Sequence, residues 1–374
     1  MQNLIVDNLR EIDNSHTTVR RLDIASQCIK RIGDRRVPVE IIKKELIAWN
    51  IELNSYDPDY KDKKGKLVEG EENKPTTAFP KYITIIREMG LISQIGHTVS
   101  LTRTGYVLYQ LIKEKEQFDY YLNSYEKLFY LFNLFSKDAD YLLLALDTIN
   151  CYKDGINQKD AQDKFKTNLE NRLSNKLKIA TNQARIKIAE KLRVVRHQWR
   201  KAEVYSEHIL APRFEWLTDL GILSTDKIKG STIYRITPTG KLLMDKLPKF
   251  SDFDIHDINE EWLRNYAFKN FVTLLSIEDI KNWTEIDPHL QNEYLGAALD
   301  ESYQLFSGGR ALRIALSPFV LYTCINFMVE KKVLVEINDI INKLKARFLY
   351  KDRIYNAFVA ARQNEGYVSI KINR

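Results

Sequence analysis

At 374 residues, with 44% hydrophobic residues and 16 Phe, 20 Tyr and 5 Trp, the chain holds apolar material for two or three packed domains, which excludes global disorder. Its three cysteines, Cys28, Cys151 and Cys324, form no CxxC or Cys/His cluster, which argues against a disulfide framework or structural zinc and fits a reducing compartment. The opening MQNLIVDNLREID carries acids where a secretory signal needs an apolar run, and no window has the length and apolarity of a membrane span; a soluble, cytoplasmic and, from its Lys/Ile/Asn-rich style, bacterial protein is expected.

The charge is concentrated. The net value is +7, yet the stretch 171–201, NRLSNKLKIATNQARIKIAEKLRVVRHQWRK, carries ten Lys/Arg against Glu190 alone, a net +9 that leaves −2 for all other residues. Leu173, Leu177, Ala180, Ala184, Ile188, Leu192, Val195 and Trp199 recur within it at spacings of three and four. That is the period of one helix face and predicts a single long amphipathic helix with cations on its other side, suited to a polyanion. An ordinary solvated face is the competing reading.

In chain order, residues 1–21 read as a polar arm, ordered by contact with a partner. LDIASQCIKRI (22–32) and the run from Pro38 to Ile51 read as helices, and 54–73 as a long polar loop or disordered insertion. TTAFPKYITIIREMG gives a third helix, capped by Thr76 or Thr77 and stopped at Gly90; LISQIGHTVSLT follows as a hairpin around Gly96-His97, and RTGYVLYQLIKEK as a helix. The aromatic run 117–136 reads as a linking core helix. DADYLLLALDTINCY and NQKDAQDKFKTNL are the next helices, followed by the basic stretch.

After the basic stretch the pattern repeats. Phe79-Pro80-Lys81-Tyr82 through Met89-Gly90-Leu91-Ile92 is answered by Ala211-Pro212-Arg213-Phe214 through Leu220-Gly221-Ile222-Leu223. Leu101-Thr102-Arg103-Thr104-Gly105 is answered by Ile236-Thr237-Pro238-Thr239-Gly240. The Gly permits a left-handed helix end, the apolar pair starts a strand, and Thr-x-Thr-Gly returns the chain into a packing helix. Helices followed by a hairpin, twice over, predict a mainly α fold with short β-hairpin wings, made of tandem winged-helix (helix-turn-helix) domains over 22–116 and 117–247. Residues 248–374, with acids from Asp252 to Glu261, read as one helical domain. Its end would be a degenerate third copy: SPFVLYTCINFMVEKK, VLVEINDIINKLKARF and YKDRIYNAFVAARQNEG as helices and YVSIKI as a first wing strand.

Winged helices place helix ends and wings at phosphates while a few side chains read bases. The first copy offers Lys74, Thr76, Thr77 and Lys81 at the start of the third helix, and His97 at the wing tip; the threonines serve equally as caps, and the histidine as a solvent-exposed ring. The second offers Arg172, Arg185, Lys187, Arg193, Arg196, Arg200 and Lys201 for phosphate, Gln198 for adenine, Arg196 and Arg200 for guanine, and Arg213 as the match of Lys81. Trp199 falls on the apolar stripe and reads as core. No Gly-rich phosphate loop, HExxH or GxSxG occurs, and no cofactor or metal is called for; the nearest approach to a nuclease cluster is Glu278-Asp279-Ile280-Lys281.

The tandem copies, polar insertion and basic segment over 22–374 resemble the recognition region of type IIS restriction endonucleases, although Gly90/Gly221 and the Thr-x-Thr-Gly strings are generic to winged helices. The resemblance implies successive winged-helix subdomains wrapping duplex DNA, in a restriction-modification, antiphage defence or mobile-element setting. No recognisable nuclease domain follows Arg374, so cutting would fall to a separate nuclease subunit or domain. Two other classes stay open: a protein-interaction scaffold, and an endonuclease with a divergent metal site.

Overall fold

The computed structural model describes residues 5–61, 63–250, 255–275, 277–306, 313–345, 348–351, 353–359 and 366–372. Residues 1–4 of the arm, the Asp252 end of the acidic cluster and the predicted helical residues 346–347, 352 and 360–365 lie outside them. The chain forms two compact units, Met1–Glu260 and Glu261–Arg374, and is mainly helical with small, mostly antiparallel sheets.

The first unit opens with α1 (Leu22–Ile32), β1 (Val37–Pro38), α2 (Val39–Tyr56), α3 (Pro58–Lys61), β2 (Val68–Glu69), β3 (Lys74–Pro75), α4 (Ala78–Glu88), β4 (Ile92–Ile95), β5 (Thr98–Leu101) and α5 (Arg103–Ile112). It continues with α6 (Ser124–Asn150), β6 (Ile156–Asn157), α7 (Gln158–Ile179), α8 (Asn182–His197), α9 (Ala202–Asp219), β7 (Leu223–Ile228), β8 (Ser231–Ile236), α10 (Pro238–Lys246), β9 (Lys249–Phe250) and β10 (Ile255–His256). Asp138 leaves helical geometry inside α6 (φ −135°, ψ 17°), so the second half of that helix stands before β6 as α1 stands before β1.

The sequence repeat is a repeat of hydrogen bonds. The sheets run β1-β5-β4 and β6-β8-β7, the same order with all pairs antiparallel. Gly90 and Gly221 end their helices at φ +75° and +78°. Thr102 Oγ1 donates to the Gly90 carbonyl at 2.6 Å and Thr237 Oγ1 to that of Gly221 at 2.8 Å, while each hydroxyl caps the next helix by accepting the N–H of Gly105 or Gly240. A Cβ on Gly105 would lie 1.9 Å from the Leu91 carbonyl oxygen, and one on Gly240 2.3 Å from that of Ile222. Gly105→Ala is therefore expected to cost about 3 kcal/mol of unfolding free energy, as overpacking against rigid backbone does; denaturant unfolding checks it, and a cost near zero would mean the helix can slide off the turn.

The arm departs from expectation. Val6, Ile12 and Val19 are buried, and the backbone N–H groups of Arg10, Ile12 and Leu22 donate to Asp140, Asp138 and Asp219 at 2.8, 2.9 and 3.0 Å. The Arg21 N–H donates to the Tyr82 hydroxyl of α4. Residues 5–21 are thus a strap laid across both repeats, ordered by the chain's own carboxylates and not by a partner. The insertion is ordered too: it holds α3 and the β2–β3 hairpin, and Asn50 Oδ1 accepts the N–H groups of Leu67 and Val68.

The second unit follows α11 (Glu260–Asn265), which starts at the boundary, with α12 (Ala267–Phe271), β11 (Lys281–Asn282), α13 (Pro288–Phe306), β12 (Arg313–Ala315), α14 (Leu316–Glu330), β13 (Val333–Leu334), α15 (Ile337–Lys345), β14 (Phe348–Tyr350), β15 (Arg353–Phe358) and β16 (Tyr367–Ile372). YVSIKI is a strand as expected, but RIYNAF is its hairpin partner and not a helix. Its sheet is ordered β12-β16-β15-β14. Setting aside the edge strand β14, the succession α13, β12, α14, α15, β15, β16 repeats the order and pairing of the first unit's sheets. The expected third copy is thus displaced by one helix: both hairpin strands are present, and its first helix is α13. Tyr355 is buried and its hydroxyl, with Arg353, binds Asp300 of α13, which ties the hairpin to that helix.

Candidate nucleic-acid interface

The basic stretch is not one helix. Ala180 adopts extended geometry (φ −81°, ψ 146°), and Thr181 Oγ1 accepts the Ala184 N–H to start α8. The strap enforces the break. Val6 pairs in parallel with Ala180, donating to the Ile179 carbonyl and accepting from Thr181 N–H. It then runs along α8: Lys187 Nζ donates to Asn8 Oδ1 at 3.2 Å, and Lys191 binds Glu11 at 3.0 Å and Asp13.

Three of the ten cations turn inward. Arg172 and Lys176, 2% and 1% exposed, pair with Asp140 and Asp257, and Lys191 is 8% exposed. Burial pushes the Asp140 carboxyl up, but the Lys176 ammonium and Arg172 guanidinium outweigh it and hold the group at about 2. Arg172 is therefore removed from the candidate contacts: its charge is spent on two buried carboxylates.

Lys178, Arg185, Lys187, Arg193, Arg196, Arg200 and Lys201 are exposed. Arg185, Ala189, Arg193 and Arg196 follow one another at four, four and three residues, so three guanidinium groups share one edge of α8 over roughly 16 Å. The neighbouring stripe, Ala184, Ile188, Leu192 and Val195, is buried. Arg193 is bidentate to Glu190 at 2.7 and 3.0 Å, and Arg196 lies 3.4 Å from Glu170; such exposed pairs hold the side chains weakly and yield to a stronger anion. Trp199 is buried, stacked between Phe165 and Tyr205, which fixes the turn that presents exposed Gln198, Arg200 and Lys201. At the other end of α8, exposed Asn182 and Gln183 open a helix with no acid in its first turn, a setting that favours anions. Their signal, Thr181 as a cap in mid-stretch, was hidden by the unbroken apolar period.

In the first repeat, Lys81 is exposed, and burial, the His208 ring stacked at 4.5 Å, and Lys81 together hold the His16 imidazole below its ordinary pKa. His97 is exposed at the β4–β5 turn. Lys74 is exposed and pairs with Glu72 at 2.8 Å. Thr76 is a structural cap, since Oγ1 donates to the Lys66 carbonyl at 2.9 Å and accepts the Ala78 N–H at 3.2 Å; Thr77 is exposed and caps nothing with its side chain. Arg213 does not share the surface position of Lys81. It is 0% exposed and bound to Asp138, because the second repeat packs its helix against the strap, where the guanidinium meets a buried carboxylate.

Among the described residues no group of three or more His, Cys, Asp or Glu is placed to hold a metal ion, and Glu278–Lys281 lies in a bend running into β11. No helix among them is long and apolar enough to cross a membrane. No family model, curated protein or solved structure matches the chain.

Proposed function

We propose that this chain binds double-stranded DNA sequence-specifically through winged-helix modules, as the recognition component of a bacterial restriction, defence or mobile-element system that works with a separate nuclease. The observation that carries the reading is the exposed edge of α8, Arg185, Arg193 and Arg196 with Arg200 beyond it, on a helix whose other side is packed and strapped. A rigid row of guanidinium groups suits phosphates and guanine edges, which they bind bidentately.

The winged-helix part rests on the recurring strand order β1-β5-β4, β6-β8-β7 and β12-β16-β15, each following helices and a short first strand. Under this reading α4, α9 and α15 take the place of the third helix, and α8 is an addition to the second module. Selection of random duplexes by the purified chain tests it: one enriched motif is expected, with Arg196 or Arg200 variants relaxing the preference at single positions. Recovery of an unenriched pool would contradict sequence reading.

A further inference from the structure

We infer that the insertion and the strap form a second anion site, which holds the phosphodiester backbone of the bound strand; this rests on the duplex-binding reading above. A cleft of about 750 Å³ opens between them, lined by Arg20 from the strap, Lys63, Lys64 and Lys66 from the insertion, and Thr77 and Ala78 at the start of α4. Among the described residues, the acids in its wall are Glu69 and Glu207. The first turn of α4 carries no acid, so no carboxylate of that turn offsets the positive helix end beside the cleft.

The cations are held in place. Gly65 sits at φ +77°, and a Cβ there would lie 2.7 Å from Arg20 Cβ and 2.9 Å from both the Arg20 nitrogen and the Thr18 carbonyl oxygen. The loop backbone is thus pressed onto the strap in a conformation only glycine tolerates. On its other side the Gly65 carbonyl accepts the hydroxyl of buried Tyr82 at 2.8 Å. Arg20 Nε donates to the Thr17 carbonyl at 2.5 Å, and Arg20 and Lys64 lie 3.6 and 3.7 Å from the same Glu215 oxygen. Two cations on one carboxylate leave a positive surplus. Lys63 Nζ stands 6.0 and 5.8 Å from the ring centroids of Tyr120 and Tyr121.

A pocket for an unstacked base needs an aromatic platform, and none of the described residues lining this cleft is aromatic. Ammonium, guanidinium and hydroxyl groups around a helix start are instead the chemistry of phosphate contact. The cleft would therefore set position and affinity, while base reading falls elsewhere.

The experiment uses the full chain and a K63A/K64A variant, compared by duplex titration over a salt series and by thermal shift with inorganic tripolyphosphate. The expected result is about tenfold weaker duplex binding near physiological salt and a salt slope shallower by about two, at an unchanged melting temperature. K63R/K64R, which keeps the charge, is expected to restore both. Tripolyphosphate is expected to raise the melting temperature of the wild type and, since the α8 edge is still present, to raise that of K63A/K64A by less. Equal affinity and slope in wild type and K63A/K64A would overturn the inference. If the wild type binds no duplex, the functional reading fails by itself; a tripolyphosphate shift reduced by K63A/K64A then keeps the cleft as a site for soluble polyphosphate, and an equal shift in both proteins, or none, overturns it.

Discussion

Arg213→Ala is expected to lower the unfolding free energy of the first unit by about 3–5 kcal/mol, the range for removing one partner of a buried ion pair. All five guanidinium donors are used. Nε and one terminal nitrogen donate to the two Asp138 oxygens at 2.8 and 2.7 Å; the remaining three N–H groups reach the Ile12 carbonyl, Ser15 Oγ and the Ile209 carbonyl at 2.8, 2.9 and 2.7 Å. Tyr141 and Trp216 stack around the group at 4.7 and 5.6 Å. The Ser15 hydroxyl also donates to the His208 carbonyl, which Pro212, lacking an N–H, cannot satisfy from within α9.

Loss of Arg213 strands Asp138. Burial already pushes that carboxyl up to about 6, against the opposing pull of Arg213. Without the guanidinium its folded-state pKa rises further above the unfolded value, so the neutral form is favoured by folding. The penalty in the variant is therefore present at pH 8 and relieved as pH falls through the folded pKa. Guanidinium chloride unfolding at pH 8 and pH 5.5 checks it. A pH-independent loss below about 1 kcal/mol would place Arg213 among ordinary surface cations.

Charge reversal of the α8 edge has the second large effect. R193E/R196E/R200E is expected to weaken duplex binding at least about a hundredfold, and to make the salt slope shallower by about 2.7 if each arginine neutralises one phosphate. The side chains are exposed, and the pairs lost, with Glu190 and Glu170, are screened by solvent and contribute little, so the fold survives. A protein-interaction scaffold would keep its partner under the same substitutions. Retained duplex affinity in the reversed variant would remove α8 from the interface.

What the sequence made legible was local. The Gly90 and Gly221 helix ends and the Thr102 and Thr237 caps depend on residues within some sixteen positions, and their spacing therefore carried the geometry. The fate of individual cations was not legible, because their partners are distant: Arg172 meets Asp140 across 32 residues and Lys191 meets Asp13 across 178. A hint existed, since Arg172 and Lys176 flank buried Leu169 and Leu173 at helical spacing. The strap hid its role because its buried residues Val6, Ile12 and Val19 follow no single helix or strand period in a mostly polar run, and its backbone N–H groups, which bind buried carboxylates, leave no sequence mark. In the third copy no Thr-x-Thr-Gly string fixed the frame, and the Ala-rich run after Asn356 favoured helix over the β15 strand.

Duplex affinity measured across a salt series decides whether the exposed edge of α8 meets a phosphate backbone. If Arg185, Lys187, Arg193, Arg196 and Arg200 each neutralise one phosphate, log K should fall linearly with log salt at a slope of about −4.5, steepened to about −6.3 by Lys63 and Lys64 of the cleft. Binding that is undetectable on every duplex, or that does not weaken with salt, would contradict it.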